Sequence, residues 1–109
     1  MDGLEIKGIE LLDDAEKLEL DKEVKRYSEK IKWKTKSDFI LKLVIKVYSR
    51  DKENKVKRKK YSIQGTIKGE THTFEASADD WDFNKVVHMV FDKLLVEVEH
   101  KYHSSEQHH

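Results

Sequence analysis

The chain has 109 residues, 40% of them charged, with a formal net charge of zero and neither cysteine nor proline. That length fits one domain, and the lack of cysteine excludes a disulfide scaffold and a cysteine-based zinc site. No apolar run approaches the ~18 residues of a membrane span and no signal-peptide pattern opens the chain, so a soluble, cytoplasmic protein is expected.

Residues 4–9 alternate apolar and polar and predict a first strand. Asp13, with Glu16 three residues on, is in capping-box register for a first helix. Leu20, Val24, Tyr27 and Ile31 share one face of that helix, although a break between Ala15 and Asp21 is compatible with the pattern. Residues 39–48 predict the strongest strand, with Phe39, Leu41, Leu43, Ile45 and Val47 on one fully apolar face. Lys42 and Lys46 lie on its other face among Ile40, Val44 and Tyr48. This strand is expected to be central and packed against helices. Residues 50–55 read as a loop, and a third strand runs from the basic segment 55–60 through Ile67. Gly69-Glu70 signals a tight turn into a fourth strand over 71–78, with Phe74, Ala76 and Ala78 on one side. The acids Asp79, Asp80 and Asp82 then open a helix whose apolar stripe is Phe83, Val87, Val90, Leu94, Val98 and Tyr102. Capping and the helix dipole account for those acids without a ligand. Trp81 beside them suits a staple between helix start and core.

The expected fold is α+β in the order β-α-β-β-β-α, a four-stranded sheet with two helices on one face, like a double-stranded-RNA-binding domain. Residues 1–103 form the single domain, and residues 104–109 a flexible tail whose His108 and His109 are consistent with an expression tag. Abundant Lys and Glu beside scarce Asn and Gln match the composition of heat-adapted proteins.

The zero net charge hides a segregation. Residues 30–60 hold thirteen Lys/Arg against Asp38, Asp51 and Glu53, a net of +10, and the rest of the chain carries −10. Lys42, Lys46, Lys55, Lys57, Arg58, Lys59, Lys60 and Lys68 are the candidate nucleic-acid-binding residues, because clustered cations release counterions from a phosphate backbone. Ordinary solvation of an exposed sheet face, or protection of a strand edge, also accounts for such charges.

No Gly-rich phosphate loop, nucleophile elbow or His-Glu-x-x-His pattern is present, and no enzyme is expected. His88 and Asp92 are four apart and in register to pair, but no nucleophile accompanies them. His100 and His103 share a helix face without closing a zinc site. Neither metal nor cofactor is therefore expected.

Ala76-Ser77-Ala78, then Asp82, then Asp92-Lys93-Leu94 carry a resemblance to the ribosome hibernation-promoting factor and ribosome-associated inhibitor family. Their spacing fits that family's strand-to-helix motif without a gap. The resemblance implies the same β-α-β-β-β-α plan and a non-catalytic protein that docks on small-subunit rRNA and blocks translation sterically. It also implies a short form, without the C-terminal dimerisation domain of long members. Glu97 and Glu99 stand where bacterial members carry basic residues. The alternative from another class is a protein-interaction module using the acids Glu16, Glu19, Asp21, Glu23, Asp92, Glu97 and Glu99. A homodimer through a strand edge or Trp33 is compatible with either.

Overall fold

The computed structural model describes residues 3–51 and 57–106. Strand β1 (Leu4–Lys7) leads through a short 3-10 turn (Ile9–Leu11) into helix α1 (Asp14–Thr35). Strands β2 (Ile40–Asp51), β3 (Lys57–Lys68) and β4 (Thr73–Asp80) follow, and helix α2 (Phe83–Glu106) completes the fold. This is the expected α+β layout, a four-stranded mixed sheet in the order β1-β2-β3-β4 with two helices.

Strand β1 is shorter than the alternation at 4–9 predicts, and Gly8 is the reason. It adopts φ +91°, where a side chain is strained, and a Cβ there would lie 2.2 Å from the Ile45 carbonyl oxygen of β2. The chain then turns and meets the capping box. Glu16 N–H donates to Asp13 Oδ1 at 2.8 Å, and Asp13 N–H donates to Glu16 Oε1 at 2.9 Å. Helix α1 continues without the break that the sequence allowed. It ends at Lys36, a left-handed residue at φ 54° whose N–H donates to the Lys32 carbonyl.

Strand β1 pairs parallel with β2, so the connection needs a crossover, which α1 supplies. The remaining pairs are antiparallel. The β2–β3 ladder runs from Ile40↔Lys68 to Asp51↔Lys57, whereas the β3–β4 ladder stops at Tyr61↔Asp80. Residues 48–51 and 57–60 therefore form a two-stranded arm beyond the rest of the sheet. Further strand ends differ from expectation. Strand β2 runs on through Arg50 and Asp51, read as loop, because they pair with Arg58 and Lys57. Thr71 and His72 belong to the turn, whose Gly69 N–H donates to the His72 carbonyl, and β4 runs on to Asp80. Residues 104–106, expected in the tail, are the last of α2.

The pleat sorts the sheet into two faces. Leu41, Leu43, Ile45, Tyr61, Ile63, Ile67 and Ala78 are buried, together with Leu20, Val24, Tyr27 and Ile31 of α1 and Val86, Val87, Val90, Phe91, Leu94 and Val98 of α2. Gly65 has a packing role here, because a Cβ would sit 2.9 Å from Leu94 Cδ1 and 3.0 Å from Val90 Cγ1. Helix α2 thus lies directly on the β3 backbone. Tyr27 stacks on Phe91 with ring centroids 4.9 Å apart, joining the two helices, and Tyr61 meets Phe83 edge-on at 5.3 Å.

The helical stripe predicted for α2 omits Phe91, which is among the largest fully buried side chains. Phe74, by contrast, is only half-buried, at a rim formed with His72 and Tyr102. Phe91→Ala should therefore destabilise the fold by about 3–5 kcal/mol through its cavity. Phe74→Ala should cost clearly less, and urea denaturation of the two variants will rank them.

Candidate nucleic-acid interface

On β2 and β3 the residues that face away from the core are the even-numbered ones. Along β2 these are Ile40, Lys42, Val44, Lys46 and Tyr48, and along β3 Lys60, Ser62, Gln64, Thr66 and Lys68. Lys7 of β1 is exposed in register with Val44. Lys68 lies opposite Ile40 and Lys60 opposite Tyr48, each diagonal to a lysine of β2. Lys68, Lys42, Lys46 and Lys60 thus form a stripe down the two central strands. Residues four apart on one strand are separated by about 13 Å. Among the described residues no helix covers this face.

The candidate residues do not all join that stripe. Lys59 is exposed, but it falls in the register of Tyr61 and Ile63, on the helix side of the sheet. The run 57–60 therefore does not act as one patch, because successive strand residues face opposite ways. Lys57 and Arg58 lie in the arm, their backbones opposite Asp51 and Arg50. Lys55 lies outside the described residues.

Charge partners divide the lysines further. Lys60 pairs with Asp79 at 3.0 Å, and its ammonium lies 5.8 Å from the Trp81 ring centroid. Lys42, Lys46 and Lys68 have no salt bridge among the described residues. Glu75 and Asp79 of β4 and Glu5 of β1 border the stripe on either side. Tyr48 is 54% exposed and stands directly opposite Lys60 at the foot of the arm. A tyrosine exposed among lysines offers a ring for base stacking beside the cations. Its place in the alternation at 39–48 was visible, but only the register across to Lys60 makes it part of the surface.

The acids have other employment. Asp82 begins α2 by accepting from Lys85 N–H at 3.3 Å, and Asp80 accepts from Asp82 N–H. Asp21 pairs with Lys25, and Glu99 pairs with Lys34 across the helices at 2.9 Å. Glu16 accepts the Tyr61 hydroxyl as well as capping α1. Asp92 accepts from Tyr27 Oη at 2.7 Å, so it does not orient His88 as the four-residue spacing allowed. His88 Nδ1 instead lies 3.7 Å from Glu23 Oε1. Glu23 is buried in the helix interface, although the sequence placed it among exposed acids. Trp81 is 40% exposed, so it covers the helix start only in part.

The motif Ala76-Ser77-Ala78 and Asp92-Lys93-Leu94 falls where β4 meets α2. Small Ala76 and Ala78 face the helix, Leu94 is fully buried, and Lys93 Nζ donates to the Ser77 carbonyl at 3.0 Å. These residues lock strand to helix. No protein-family profile matches the chain, and no characterised protein matches it in sequence.

Burial and the hydrogen bond to Asp92 push the Tyr27 hydroxyl up to about 12, and burial with the bond to Glu16 does the same for Tyr61. The fold favours the protonated phenols, so their contribution is complete below pH 10 and is lost as pH rises from 10 through 12. Solvent screening at the outer ends of these side chains reduces the contribution of each to roughly 1 kcal/mol. Chemical denaturation at pH 9 and pH 11 should show the fall, and Tyr27→Phe with Tyr61→Phe should flatten it.

Proposed function

We propose that this protein is a non-catalytic RNA-binding protein that seats a phosphate backbone on the open face of its sheet. The observation that carries the reading is the stripe of Lys42, Lys46 and Lys68, which make no salt bridge among the described residues although Glu5 lies opposite Lys42, with exposed Tyr48 at its end. Cations left unpaired on a flat, uncovered face attract phosphates at long range and bind them through counterion release. Such binding is largely independent of sequence, and RNA helices are read mostly by shape and backbone. A tyrosine at the edge adds stacking wherever a base is unpaired.

Within that class, the small ribosomal subunit is the partner that the strand-to-helix resemblance favours, with inhibition by occupancy alone. The pairing of Glu99 with Lys34 supports this reading, because it engages one of the two acids, Glu97 and Glu99, that stand where bacterial members carry basic residues. The acidic-module alternative draws less support. Glu16, Asp21, Glu23, Asp92 and Glu99 are each engaged within the chain.

Cosedimentation with small ribosomal subunits across a salt series tests the partner. Retention at low salt with steep loss at higher salt is expected, and a protein that stays at the top of the gradient at low salt would remove the ribosome. Anisotropy with an RNA duplex tests the surface. Lys42→Gln, Lys46→Gln and Lys68→Gln together should reduce the log–log salt slope by about 2 to 3, since each phosphate contact contributes about 0.9. The fold should hold, because exposed substitutions usually change stability by no more than about 0.5 kcal/mol. An unchanged slope in the folded triple variant would move RNA off this face.

A further inference from the structure

The inward stripe of α1 is apolar at Leu20, Val24, Tyr27 and Ile31, but it is interrupted by Glu23, whose side chain is 2% exposed. A carboxylate removed from water needs compensation. Its protein partner is Arg26, which donates through Nη1 at 3.0 Å from a half-exposed side chain on the same helix. From the opposite helix His88 brings Nδ1 to 3.7 Å of the same oxygen, Glu23 Oε1. Glu19, one turn before Glu23, completes a trio whose ligand-type atoms all lie within 4.8 Å of one another. The Tyr27 ring meets His88 edge-on at 6.3 Å, closing the site on its inner side.

We infer that Glu19, Glu23 and His88 form a binding site for a divalent transition metal, with zinc as the ion that fits best. The set combines one imidazole nitrogen with two carboxylate oxygens, a donor mixture that zinc accepts and that magnesium and calcium do not favour. Facing helices that present inward glutamates and a histidine are a general way for helical layers to hold such ions. Metal–ligand bonds of 2.0–2.1 Å place tetrahedral ligands about 3.3–3.4 Å apart. The Glu23–His88 pair is within a few tenths of an ångström of that separation. Glu19 is only half-buried and closes the remaining gap by a side-chain rotation. Arg26, half-exposed, swings to solvent when the ion takes its place beside Glu23. Three protein ligands leave one position for water, on the outer side of the helix pair. The cation then links α1 to α2 and supplies the charge that the buried carboxylate calls for.

The cluster unites two acids of α1 with a histidine of α2 that lies 65 or more positions further along the chain. It is also independent of the sheet face, so RNA binding and metal binding stand or fall separately. The test uses the full chain, stripped with a chelator and titrated with zinc chloride by calorimetry and with cobalt chloride by visible absorption. One zinc per chain is expected, with a tetrahedral cobalt band and a rise in Tm. His88→Ala and Glu23→Gln should each weaken binding at least tenfold, since changing even outer-shell partners costs 10–100-fold. Both variants should remain folded by circular dichroism, and both should lose the cobalt band. Replacing His108 and His109 by Ala should leave this site unchanged. Zinc binding that survives in folded His88→Ala and disappears with the terminal histidines would overturn the proposal. So would the absence of any zinc-induced rise in Tm in the unmodified chain.

Discussion

The seating of α2 on the backbone of β3 at Gly65 is the contact on which the rest of the molecule depends. Val90 and Leu94 approach that glycine so closely that a methyl group would have to displace them. The close approach lets α2 cover the inner face of β3 and β4 with a continuous apolar stripe. Lys93, reaching the Ser77 carbonyl, fixes the helix against the edge strand from the other side. Helix α1 then docks on α2 through the stack of Tyr27 on Phe91 and through the Tyr27–Asp92 hydrogen bond. With both helices committed to one side of the sheet, the other side stays open. The open face is thus a consequence of how the core closes.

That asymmetry also sorts the charges. Along the helices and at the β3–β4 border, the basic middle of the chain meets its acidic ends. Lys34 finds Glu99 and Lys60 finds Asp79, while Lys32 pairs with Asp38 inside the basic segment itself. Exposed pairs of this kind add little stability, generally up to about 1 kcal/mol each. Their effect here is on the surface field, because they neutralise lysines that would otherwise be available to a polyanion. The lysines at 42, 46 and 68 escape this pairing because β2 and the end of β3 face solvent where neither helix supplies an acid. The chain is neutral in total, yet Lys42, Lys46 and Lys68 share one face of the sheet without a salt bridge among the described residues.

Much of the fold was legible because local and global signals agree. Asp13 with Glu16 specified the start of α1, and the alternation from Phe39 to Tyr48 specified both the strand and its buried side. The turn at Gly69 and the change from two-residue to helical periodicity after Asp82 gave the second half. The end of α1 was harder to read because Lys36, not glycine, takes the left-handed position. Strand β1 appeared longer than it is because Ile9 continues the alternation while Gly8 bends the backbone away. The candidate surface was readable only in part. Periodicity separates Lys42 and Lys46 from the core, but the pairing register decides that Lys59 leaves the stripe and that Tyr48 enters it. Glu23 was unreadable as a buried acid, since its environment is supplied by a helix whose docking no local pattern encodes.

Amide chemical shifts of the protein, recorded by NMR during titration with a short RNA duplex at low salt, address the central claim most directly. Perturbations concentrated in residues 40–48 and 60–68, with α1 and the outer surface of α2 unaffected, are the result expected if the open sheet face receives the phosphates. Perturbations confined to α1 and α2, or none at RNA concentrations that saturate basic proteins of similar size, would contradict it.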